Sequence, residues 1–99
     1  MATPDVWVAK EDGSDIVRAE SIAAVSRDYN GTITARLSGG EGSAVTLVAI
    51  APHEGKQTPG DLHRQLIRVV AQLSDAAGAA LVRPEWDEQH GWHWVSDPL

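Results

Sequence analysis

The stretch from Thr58 to Gly78 constrains the fold more than any other part of the chain. Thr58 can cap a helix, Pro59 suits the first helical position, and Asp61 falls near the positive end of the macrodipole. Leu62, Leu66, Val69, Val70, Leu73 and Ala77 then recur with the 3.6-residue period of a helix. Gly78 stands where a C′ glycine ends one. The spacing predicts one amphipathic helix over residues 59–77. Its apolar stripe has to be buried, and the rest of the sequence offers strands to bury it against.

Val6–Trp7–Val8–Ala9 is β-branched and aromatic, and Glu11–Asp12–Gly13–Ser14 ends it with a hairpin turn. Residues 5–10 therefore read as a strand. Residues 15–27 fit two patterns. Ile16, Ala19, Ile22 and Ala23 share a helical face, whereas Ile16–Val17–Arg18 pairs back through the Asp12–Gly13 turn and 22–27 continues extended. The turn and the β-branched residues favour strands. Asn30–Gly31 suits a type I′ turn with positive φ at both positions. Thr32–Leu37 alternates, with Ile33, Ala35 and Leu37 on one side. Ala44–Ile50 is apolar on both faces, as a central strand is. Ala79–Arg83 reads as a strand stopped by Pro84, Glu85–Gly91 as a polar loop, and Trp92–Val95 as a short closing strand. The expectation is an α+β fold in a single domain, 1–99. A mostly antiparallel sheet of five to six strands carries the helix on one face, over Ile33, Leu37, Val45 and Leu47.

Composition narrows the function. Eight Lys and Arg face fourteen Asp and Glu, a formal charge of −6. Binding a polyanion needs a positive field, so nucleic acid is not the expected partner. The absence of cysteine excludes disulfides, thiolate nucleophiles, iron–sulfur clusters and cysteine zinc sites. The acidic N-terminus lacks the basic and apolar regions of a signal peptide. Ala44–Pro52, the longest apolar stretch, is about half a membrane span. A cytoplasmic protein without membrane contact is expected. Arg exceeds Lys and Ala is abundant, a usage typical of GC-rich bacterial genomes.

The chemistry-bearing groups are few. His90 and His93, with Asp87 and Glu88 upstream, are the weak candidates for a metal site, since zinc accepts imidazole and carboxylate. On a strand over 92–95, His93 points away from its neighbours, so the competing reading is two exposed loop histidines. His53, Glu54 and His63 offer an imidazole–carboxylate pair for proton transfer, against the reading of solvated loop and helix-edge residues. Gly40–Glu41–Gly42–Ser43 is followed by a strand and no Lys, so neither a nucleophile elbow nor a P-loop is expected there. Arg64 and Arg68 lie one turn apart on the polar helix face. No cofactor is expected.

Tryptophan is the compositional oddity: four Trp, one Tyr and no Phe. Trp86, Trp92 and Trp94 cluster near the end of the chain among Glu85, Asp87, Glu88 and Asp97. Trp is enriched at interface hot spots, so Trp86, Trp92, Trp94, Glu85, Asp87 and Glu88 are the candidate partner-binding residues. The alternative is that indoles complete a core that has no Phe. Trp92 and Trp94 share one side of a strand and suit that role, Trp86 in a polar loop faces a partner, and Trp7 belongs to the core at the sheet edge.

The opening Trp7–Val8, the stretch from Asp12 to Val25, the strands at 32–37 and 45–48, and Leu62–His63–Arg64–Gln65–Leu66 together resemble small bacterial β-rich domains with one helix. The resemblance spans residues 6–75, rests on structural positions and implies no activity. The expected function is a non-enzymatic binding module acting through protein–protein contact with a basic partner surface, in one form an immunity-type inhibitor. The alternatives are a small-ligand protein or enzyme using His53, Glu54 and His63 or the His90/His93 pair, and an oligomerising module such as a homodimer.

Overall fold

A computed structural model describes residues 5–38, 43–49, 57–74 and 79–98. The elements in chain order are β1 (Val6–Ala9), β2 (Ile16–Arg18), a 3-10 turn (Ala19–Ser21), β3 (Ile22–Arg27), β4 (Ile33–Leu37), β5 (Ala44–Val48), α1 (Leu62–Ser74), β6 (Ala80–Asp87) and β7 (Gly91–Pro98). The fold is α+β. The expected single sheet is instead two, one ordered β2-β1-β6-β7 and one β3-β4-β5. All pairings are antiparallel except β1 with β6. Residues 15–27 resolve as strand, 3-10 turn and strand, and that turn carries the chain from one sheet to the other.

The sheets share one core. Val6, Val8, Val82 and Trp92 from the first meet Ile33, Ala35, Leu47 and Val48 from the second, with Leu62 and Leu66 of the helix. Alternation explains the contribution of each strand, because every second residue points inward. β5 is an edge strand rather than a central one. Glu11, just after β1, meets it: its N–H donates to the Leu47 carbonyl at 2.9 Å, and its carboxylate accepts from the Ala49 N–H at 3.3 Å. A loop thus covers an edge that would otherwise invite another strand.

Both glycine turns form, one of them differently from expectation. Gly13 takes a φ of 77° between β1 and β2. Between β3 and β4 only Gly31, at 98°, enters the left-handed region, so the type I′ geometry with Asn30 also positive is not adopted. The Asp28 side chain decides this by accepting the N–H groups of Asn30 at 2.9 Å and Thr32 at 3.0 Å.

The helix lies within the expected span; residues 75–78, including Ala77 and Gly78, lie outside the described residues. Thr58 is not its cap. Thr58 is 4% exposed, donates from Oγ1 to the Gly31 carbonyl at 2.6 Å and receives the Arg27 Nε–H at 3.0 Å. Arg27 Nη2 also donates to the Thr58 carbonyl at 2.9 Å. The threonine that could have satisfied the helix start instead ties the segment before it to the β3–β4 hairpin. Asp61 takes the N-terminal role, its carbonyl accepting the Gln65 N–H. The helix packs on β3, β7 and β1 rather than chiefly on β4 and β5. Of the four residues expected beneath it, Ile33 and Leu47 are fully buried and Leu37 and Val45 half-buried. No helix among the described residues is long and apolar enough to cross a membrane.

Candidate functional site

The C-terminal hairpin is longer than its sequence suggests. Pro84 does not stop β6, and Glu85–Asp87 is strand rather than loop. β1 pairs with β6 only over Ala80–Val82, so at Pro84 the missing N–H falls where β6 has β7 as its one strand neighbour. β7 likewise runs over eight residues in place of the short strand at 92–95.

The register separates the candidate residues. Pro84 pairs with Trp94 and Trp86 with Trp92, and paired residues point to the same side. Trp92 is 4% exposed in the core, and Trp86 and Trp94 pack against that core half-buried. Trp94 Nε1–H donates to the Leu62 carbonyl at 2.8 Å, fastening β7 to the helix start. The three indoles therefore face inward. Trp92 presents no surface to a partner, and Trp86 does not stand out from a loop.

Glu85 pairs with His93, Arg83 with Val95 and Leu81 with Asp97, one residue out of phase with the indoles. These side chains occupy the outward face, where Asp87 also lies. Arg83 forks between two of the carboxylates, with Nε–H donating to Asp97 at 2.9 Å and Nη1 3.2 Å from Glu85. The hydrogen bond to Asp97 and then the charge of Glu85 raise the guanidinium pKa further. Asp87 accepts the backbone N–H of His90 at 2.6 Å and its Nδ1–H at 3.1 Å. That backbone bond first, and the His90 ring after it, hold its carboxyl below the ordinary range. Three carboxylates face one guanidinium here, with Glu88 exposed in the turn.

Trp7 departs from expectation in the opposite sense. It pairs with Arg18 on one side and Leu81 on the other, so it faces outward while Val6 and Val8 face the core. It is half-buried, and Arg18 lies 5.1 Å from its ring centroid. The strict alternation of Val6–Trp7–Val8 was the signal that could have placed it.

His90 and His93 come closer than strand spacing implies, with ring centroids 5.8 Å apart, beside Asp87. His93 Nδ1–H donates to the Gly91 carbonyl at 2.9 Å, and Nε2 is 3.8 Å from Asp87. The described residues hold no group of three or more His, Cys, Asp or Glu that could hold a metal ion. His63 sits half-buried on the first turn of α1, and its Nδ1 has no hydrogen-bond partner among the described residues. His53, Glu54 and the stretch 39–42 lie outside the described residues. Comparison with known proteins returns no matching family model, no matching curated protein and no matching solved structure.

Proposed function

We propose that the chain is a small non-enzymatic binding module that recognises a basic protein surface through the outward face of β6 and β7. The observation that supports this reading most is the segregation of the hairpin. Glu85, Asp87 and Asp97 share the outward face, with Trp7 and Leu81 extending it across β1 and β6. Half-buried apolar groups ringed by charge are the composition of an interface with a desolvated centre and a polar rim. Excess carboxylate at the rim steers a basic partner and raises its association rate. In its specific form the partner is a phosphate-binding enzyme whose basic site the carboxylates occupy.

The test compares the chain with its E85K/E88K variant as bait at low salt. A partner eluted by raised salt from the wild type and absent from the variant supports the reading. Identical captures, or none, overturn it. Both positions are exposed, so circular dichroism of the variant should match the wild type.

A further inference from the structure

The turn of the β6–β7 hairpin gathers two imidazoles around one carboxylate, at the end of the face that carries Glu85 and Asp97. His90 Nδ1 lies 3.1 and 3.2 Å from the two Asp87 oxygens, and His93 Nδ1 lies 2.9 Å from the Gly91 carbonyl. A carbonyl and an ionised carboxylate only accept, so both Nδ1 atoms carry a hydrogen. Nε2 is therefore the nitrogen at which each ring gains its second proton. In His93 that nitrogen stands 3.8 Å from Asp87 Oδ2. Neutral, it offers the carboxylate only a lone pair; protonated, it offers an N–H and a positive charge. The His90 backbone N–H, at 2.6 Å, fixes the Asp87 carboxyl in this position. Held below the ordinary range chiefly by that bond, the carboxyl stays ionised wherever histidine titrates.

The surroundings of the two rings are acidic. Glu85 is the cross-strand partner of His93, and Arg83, two pairs along, spans Glu85 and Asp97. Glu88 is exposed in the turn. α1 meets β7 on the other side, through Trp94, and β1 pairs with β6 only over Ala80–Val82, away from the turn. Among the described residues, the charged groups facing the imidazoles are thus Arg83, Glu85, Asp87 and Glu88, with Asp97 further along β7. Three carboxylates, Glu85, Asp87 and Asp97, against one guanidinium leave the face two negative charges while both rings are neutral. Two imidazolium charges cancel them. The ring centroids are 5.8 Å apart, so both charges arrive at the same end of the face.

Taking the outward face of β6 and β7 as the binding surface, a reading on which this inference rests, we propose that His90 and His93 are its pH gate. As the pH falls through the histidine range, the two rings gain protons and pair with Asp87 from within the hairpin. That pairing occupies the carboxylate nearest the turn and cancels the negative field that draws a basic partner. Recognition is then strong in a neutral to mildly alkaline medium and weak in a mildly acidic one. Arg83 has no part in the change, because a guanidinium keeps its charge throughout.

Octa-arginine, whose charge does not change over this range, serves as the basic probe. Its binding is followed by the amide shifts of Glu85–Asp97 from about pH 8 to about pH 5.5, at constant ionic strength, on the wild type and on H90Q/H93Q. Wild-type affinity should fall about tenfold, one decade in Kd, and that of the variant by less than about twofold. The variant keeps His53, His63 and every carboxylate, so it isolates the pair. The chain without probe supplies a second readout. The Asp87 carboxyl carbon should shift in step with the titration of the His93 ring, and long-range proton–nitrogen spectra should show His93 as the Nδ1–H tautomer at the alkaline end. An Nε2–H tautomer, or an Asp87 carbon indifferent to the ring, overturns the gate. So does a wild-type affinity that holds constant or falls equally in the variant. Absence of octa-arginine binding to the hairpin at the alkaline end is a separate outcome: it removes the binding face itself, and the gate with it.

Discussion

The two faces of the β6–β7 hairpin are built from one run of alternating residues and do different work. Inward, Val82, Pro84, Trp86, Trp92 and Trp94 bear on the core, and one indole N–H reaches the helix. Outward, Arg83, Glu85, Asp87, His93 and Asp97 bond mainly to one another and to their own turn. The inward face couples distant elements, whereas most contacts of the outward face are local and solvated. A substitution inside should register across the molecule, and one outside should change charge with little effect on the fold.

Truncating Trp92 is the severest test of that contrast. Trp92→Ala removes a fully packed indole, and urea unfolding should show a loss of about 3–5 kcal/mol. A much smaller loss would mean that the hairpin is peripheral to the core. Trp94→Phe keeps most of the ring and deletes the donor to Leu62, for an expected loss of about 1 kcal/mol by the same measurement. On the outward face, Glu85→Gln should alter stability by less than about 0.5 kcal/mol, because its partner Arg83 keeps Asp97. A loss comparable to that of Trp94→Phe would erase the distinction between the faces.

Asp87 gives the smallest effect, visible as pH dependence. Its carboxyl is held below the ordinary range when folded, so its stabilising contribution is complete above the unfolded pKa. That contribution disappears as the pH falls through the folded value. Thermal unfolding followed from neutral pH downward should show Asp87→Asn with the shallower acid decline and a lower starting point at neutral pH. Parallel curves would show that the turn does not depend on that charge.

Local features of this fold were legible in the sequence, and their assembly was not. The helix, the Asp12–Gly13 hairpin and the alternation of Thr32–Leu37 follow from periodicity and turn chemistry, which act over a few residues. The split into two sheets depends on which edges meet, and β1 takes β6 as its second neighbour across most of the sequence. Thr58 has the right type and place for a cap, yet a tertiary partner, Arg27, claims it. Pro84 punctuates the sequence as a strand end because the signal carries no information about how many neighbours the strand has there. Trp86 reads in the sequence as a loop residue facing a partner, whereas it lies on β6 and packs against the core. Ala80, Val82, Pro84 and Trp86 continue a single alternation, which already put Trp86 inside and Glu85 outside.

The parallel pairing of β1 with β6 also sets an order of events during synthesis. β1 and β2 can close as a local hairpin as soon as they leave the ribosome. The other flank of β1 then waits while the second sheet and the helix emerge, since its partner Ala80–Val82 comes after all of them. Such long-range strand pairing is slow, because the intervening chain must be ordered before the contact rewards it. During that interval the nascent chain carries an open strand edge beside Val6 and Val8, and an early stall in translation would leave it open to pairing with another nascent chain.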